Sequence, residues 1–230
     1  MIATASVASA GEHWRIVSVP LDMPLSDESD LDGQALEGLY QGDYGKNMPH
    51  NFGGYIGPNL KSSGLNQTPF YHINSTLKDG RDFELWFSSA DDGRKTFGVR
   101  LNIPYSDKRN QLVTDAIKEV ETAFGKPDLE FSPPATATQK ILVIADRTME
   151  KARYDAVLAR LPKAEQINPK DADSFWEADL DQLARILGPD FRGVIVICNA
   201  DRASGRMVSG EAQLLDLKRA RTVFNLGQIK

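Results

Sequence analysis

Three histidines, one cysteine and two strand-end groups of acids beside arginines are the residues of this chain that could carry chemistry. His13, His50 and His72 lie far apart, with no H-x-x-x-H spacing and no cysteine pair to join them. No metal motif is spelled out, and no cofactor is expected. Cys198 closes the apolar run Val194-Ile-Val-Ile-Cys198. Burial there would make it a small core hydrophobe, because an apolar setting raises a thiol's pKa and silences it. No G-x-S-x-G elbow occurs. Ser204-Gly205 reads as a turn and Ser209-Gly210 as a helix cap, so no residue is assigned a catalytic role.

Binding chemistry has two candidate locations. The stretch Asn51-Phe-Gly-Gly-Tyr-Ile-Gly57 is rich in glycine but lacks the following helix and Gly-Lys-Ser/Thr of a phosphate cradle. With Tyr40, Tyr44, Phe52 and Tyr55 it reads as a ligand-contacting loop, since aromatic rings offer large contact area at small entropic cost. The second location is the end of two apolar strands. Asp146-Arg147 ends one and Asn199-Ala-Asp201-Arg202 ends the other. If the strands are parallel, Asp146, Arg147, Asn199, Asp201 and Arg202 converge at the carboxyl edge, where open α/β sheets bind ligands. Acids with arginines at that edge would suit a hydrolase or a phosphate-handling enzyme. Lys218-Arg-Ala-Arg221 reads as the solvated face of the last helix.

The elements that would position these groups follow from periodicity. Strands are expected at 14–19, 70–75, 82–87 and 96–105, with Asp79-Gly80 and Asp92-Gly93 as hairpin turns. Along Phe83-Glu-Leu-Trp-Phe87 the residues Phe83, Leu85 and Phe87 share one face and Trp86 takes the other. Leu112, Val113, Ile117, Val120 and Phe124 then recur at helical spacing, with Ser106 or Asp107 as cap and Gly125 as stop. Phe131 to Thr138 resembles a linker. Beyond it, buried strands at 141–145 and 191–198 alternate with helices at 150–161 and from Ser174 to Leu187. A short strand at 206–208 precedes a final helix over 211–224, capped by Ser209. Continuous apolar strands flanked by helices suggest a βαβ unit.

The expected class is therefore α+β: an antiparallel sheet with a packed helix over 11–132, followed by a smaller β/α half over 139–230. That second half is either a domain of its own or a continuation of the first. Residues 1–10 read as a flexible or signal-derived segment ending in Ala8-Ser9-Ala10, which fits the small-x-small pattern of signal cleavage. Composition is that of an ordinary globular protein: 41% hydrophobic, 26% charged, and a formal net charge of −5. Mild acidity argues against a nucleic-acid binder. No apolar run approaches the ~20 residues of a membrane span.

The segment Phe83-Glu-Leu-Trp-Phe-Ser-Ser, the strand to Tyr105 and a helix ending Thr122-Ala-Phe-Gly-Lys-Pro127 together resemble uncharacterised exported bacterial α+β proteins. The resemblance covers about residues 82–127 and implies a cell-envelope address with no known activity. The leading expectation is a non-catalytic binding or interaction protein, periplasmic or secreted, with a small-molecule or protein ligand. The alternatives are a cytoplasmic location and the strand-end enzyme.

Overall fold

The computed structural model describes residues 21, 70–76, 82–88, 95–104, 111–135, 138–175 and 178–226. Its elements run β1 (Phe70–Thr76), β2 (Asp82–Ser88), β3 (Thr96–Pro104), α1 (Val113–Phe124), β4 (Leu129–Phe131) and β5 (Gln139–Ala145). Then come α2 (Lys151–Leu158), α3 (Pro169–Asp173), α4 (Leu180–Leu187), β6 (Arg192–Ala200), β7 (Met207–Asp216) and α5 (Leu217–Leu226). Among the described residues the strands form one seven-stranded sheet in the order β1-β2-β3-β7-β6-β5-β4. Every neighbouring pair is antiparallel. The fold is α+β.

The meander β1-β2-β3 follows the expected strands closely. The second half departs from expectation in two ways. First, β5 and β6 are antiparallel, with Gln139 opposite Asn199 and Ala145 opposite Gly193, so they form no parallel βαβ unit. Their unbroken apolar runs report burial on both faces, which fixes no strand direction. Second, Glu211–Asp216 is not helix but the end of β7, a ten-residue strand lying between β3 and β6. Glu, Ala, Gln and Leu favour a helix, but two flanking strands supply a ladder on each side, and tertiary pairing overrides propensity. The cap of the last helix moves accordingly. Asp216, not Ser209, accepts the Arg219 amide at 3.0 Å.

Because opposite residues in a ladder share a face, the register sorts the sheet into two sides. On one side, Leu142, Ile144, Val194, Val196, Cys198 and Ala212 are buried, and α1 packs against β6. On the other, Ile141, Val143, Ala145, Ile195, Ile197 and Leu215 form a core with Val157 of α2 and Leu183, Ile186 and Leu187 of α4. Each such aliphatic side chain contributes roughly 1.5–3 kcal/mol by leaving water. Helix α4 is framed by two polar signals. The Asp179 carboxylate accepts from the Gln182 amide at 2.7 Å, and Gly188 at φ +90° ends the helix. Ser174, expected to open this helix, instead closes α3.

Candidate functional site

The structure places the strand-end residues apart. Asp146 leaves β5 at the end where β6 begins, whereas Asn199 pairs with Gln139 at the opposite end of the same ladder. Helix α1 gives a second measure of the separation. Its first amide, on Val113, donates to the Gly205 carbonyl in the β6–β7 turn, and Arg147 donates from Nη2 to the Lys126 carbonyl just beyond its C-terminus. Twelve helical residues span roughly 18 Å, so Arg147 and the Asp201–Gly205 turn lie at opposite ends of a rod of that length.

Each of these residues already has local work. Asp201 Oδ1 accepts from the Ser204 hydroxyl at 2.7 Å, the Ser204 amide at 2.8 Å and the Ala203 amide at 3.2 Å. Those bonds lower its pKa and fix the turn that receives α1. Arg202 is exposed on the same turn. Asp146 sits in a clasp. Its Oδ2 accepts from Arg192 Nε at 2.7 Å, and its Oδ1 accepts from the Thr148 amide and hydroxyl at 2.9 and 2.6 Å. Arg192 also lies 3.5 Å from the buried Asp216, which Arg153 meets at 3.2 Å. The clasp thus ties the end of β5 to β6, β7 and α2. Burial pushes the Asp146 carboxyl up, but the hydrogen bonds from Thr148 and Arg192 and the Arg192 charge outweigh it and hold the pKa below 3.8. Burial, with the Glu130 charge as a lesser cause, lifts the Cys198 thiol to about 12. That keeps it protonated and unreactive near neutral pH. Tyr40, Tyr44, Phe52 and Tyr55 lie outside the described residues.

A different surface emerges from the register. Beyond the helices α2 to α4, the side of the sheet that holds Ile195 and Leu215 turns polar. In one row β2, β3 and β7 contribute Glu84, Arg100 and Gln213; in the next they contribute Asp82, Asn102 and Glu211. In β1 the residues His72, Asn74 and Thr76 pair with Trp86, Glu84 and Asp82 of β2. In β5 and β6 these two rows run into the buried Ile195 and Val143 and into Ile197 and Ile141. In the neighbouring row, Gln139 Nε2 donates to Asn199 Oδ1 at 2.8 Å and Asn199 Nδ2 donates to Ser209 Oγ at 2.9 Å. Gln139 is only 8% exposed, and its Oε1 is buried without a hydrogen-bond partner. Arg100 grips Glu211 with both Nε and Nη2 at 2.9 Å, a two-pronged pair that holds both side chains in place. Arg100, Asn102, Asn199, Ser209, Glu211 and Gln213 are all partly exposed.

No family model, curated protein or solved structure matches this chain. The site is therefore read from its own geometry. Among the described residues no group of three or more His, Cys, Asp or Glu is placed to hold a metal ion. No helix among them is long and apolar enough to cross a membrane.

The polar rows escaped sequence reading for one reason. Ser209, Glu211 and Gln213 alternate with Gly210, Ala212 and Leu214, a period of two that the helix-favouring composition of 211–216 conceals. The same alternation runs through β3, where Arg100 and Asn102 alternate with Val99, Leu101 and Ile103, and it is the signal that marks both as strands.

Proposed function

We propose that this protein is a non-catalytic binding protein of the cell envelope, and that the polar half-face built by β1, β2, β3 and β7 is its recognition surface. One observation carries the reading. Amide, carboxylate, guanidinium and hydroxyl groups stand in adjacent rows on a rigid sheet, next to an apolar half-face that the helices cover. Backbone pairing holds such groups at fixed spacing before a ligand arrives, which lowers the entropic cost of binding. The chemistry suits recognition, with donors and acceptors interleaved and the Arg100–Glu211 pair fixing two of them. The envelope address is supported by the likeness of residues 82–127 to exported proteins.

The test combines binding with turnover. Thermal-shift screening against sugars, amino acids, nucleotides and amines should find a compound that raises Tm saturably, and Arg100→Ala should abolish the rise. Chromogenic phosphates and esters should not be turned over. Saturable turnover that Arg100→Ala leaves intact would move the protein to the enzyme class. Fractionation of cells expressing the gene from its own upstream sequence tests the address, which predicts recovery with the envelope.

A further inference from the structure

We infer that the ligand of the polar half-face is a short, uncharged saccharide with one ring stacked on Trp86. This assignment rests on the reading of that half-face as the recognition surface, and deepens it by naming the ligand's chemistry. Trp86 stands at the border between the two half-faces. It lies opposite Gly98 in the β2–β3 ladder, and Gly98 lies opposite Leu215 in the next. A Cβ on Gly98 would fall 2.6 Å from Cε3 and 3.3 Å from Cζ3 of the indole. The six-membered ring therefore lies across the neighbouring strand, in the space that glycine leaves. It packs against the apolar core yet stays only half-buried.

The residues beyond the ring are polar and planar. Arg100 and Asn102 follow Gly98 at alternate positions of β3, so they share its face, roughly 7 and 14 Å further along. Gln213 and Glu211 stand opposite them in β7. An indole is thus followed by a guanidinium, a carboxylate and two amides in two rows. A pyranose ring matches this sequence of groups. Its flat side presents weakly positive C–H groups that pack on the negative face of an aromatic ring. Its hydroxyls each donate and accept, and planar amide, carboxylate and guanidinium groups can pair with two neighbouring hydroxyls at once.

Charge and spacing narrow the ligand further. Arg100 meets Glu211 through both Nε and Nη2 at 2.9 Å, so an anionic ligand would have to compete with that carboxylate. Asn102 and Gln213 carry no charge. The pair orients hydrogen-bonding atoms while each charge is answered by the other, which suits a neutral partner. One sugar ring on the indole reaches the row of Arg100 and Gln213. A second ring reaches Asn102 and Glu211, so the rows match a disaccharide or longer.

Cellobiose, maltose and lactose are the probes. Titrated separately into the full-length protein, at least one should saturably shift the Trp86 indole N–H resonance and the backbone amides of 98–102 and 211–215. Trp86→Ala should weaken binding of that sugar about tenfold or more, the scale of an aromatic anchor. Trp86→Phe, which keeps a π-face, should restore part of the loss. Gln213→Ala should weaken binding roughly fivefold, the scale of a lost hydrogen bond. Circular dichroism confirms that each variant folds, and Gln213→Ala decides the matter if the tryptophan variants do not. Raising sodium chloride to 0.5 M should change the affinity by less than about twofold, because screening acts on charges.

An affinity unchanged in any folded alanine variant would overturn the assignment. A tenfold loss in 0.5 M salt would overturn it too, by showing that the contact is ionic. An amino acid, nucleotide or amine that moves these resonances where none of the three sugars does would keep the recognition surface and remove the saccharide. Shifts by no compound in the screen would remove both.

Discussion

Gly193 stands where β6 passes closest to β5. A methyl group there would collide with the Ile144 carbonyl oxygen and lie 2.9 Å from the Ala145 Cα. Both neighbours are backbone and cannot rotate away. Gly193→Ala should therefore cost roughly 3 kcal/mol, the upper range for overpacking a core, as measured by urea denaturation. The Asp146 clasp gives a pH signature. A carboxyl whose folded pKa lies below its unfolded value of about 3.9 binds fewer protons folded than unfolded. Its contribution is complete above that value and is lost as pH falls through the folded pKa. Asp146→Asn should lower stability by about 2 kcal/mol at pH 7, the scale of a charged hydrogen bond in a sheltered site. It should also flatten the fall in stability below pH 5. A variant whose acid unfolding profile parallels the parent's would show that the clasp contributes nothing. Cys198 is predicted to resist alkylation by iodoacetamide at pH 8 in the native state and to react readily in denaturant. Its thiol is buried and its pKa is raised to about 12.

At the scale of elements, the junction of β7 with α5 concentrates several contacts in one side chain. Asp216 ends the strand, caps the helix through the Arg219 amide, and meets Arg153 and Arg192 with its other oxygen. Asp216→Ala removes a cap and leaves guanidinium groups facing a buried gap, so it should destabilise the protein by about 3 kcal/mol. Asp216→Asn, which can still accept the capping bond, should cost measurably less in the same denaturation experiment. This junction also marks the limit of what the sequence makes legible. Strands β2 and β3 stand out because alternate residues are apolar, Phe83, Leu85 and Phe87 in one and Phe97, Val99 and Leu101 in the other. Helix α4 stands out because Leu183, Leu187 and Gly188 fall where a helix and its stop require. β7 does not stand out, since its strand state comes from two neighbours more than a hundred and about ten residues away in the chain. The strand-end acids were visible as residues, but their grouping depended on a strand direction that apolar runs do not encode.

Across the whole molecule, one sheet connects the two halves. β7 comes from the C-terminal half and pairs with β3 of the N-terminal meander, while Phe131 and Gln139, either side of the proline-rich stretch, belong to paired strands. The position of β7 decides the function proposed here. As the fourth of the seven strands among the described residues it carries Glu211 and Gln213 beside Arg100 and Asn102; as a helix it would disperse the polar rows. The decisive measurement is a set of nuclear Overhauser contacts along 209–216 in isotopically labelled protein. Cross-strand backbone contacts linking Leu101 and Val196 to Ala212, with slow amide exchange through β7, are expected. Medium-range contacts between residues three apart over Glu211–Asp216, with no cross-strand partners, would contradict the central placement of β7 and remove the half-face built on it.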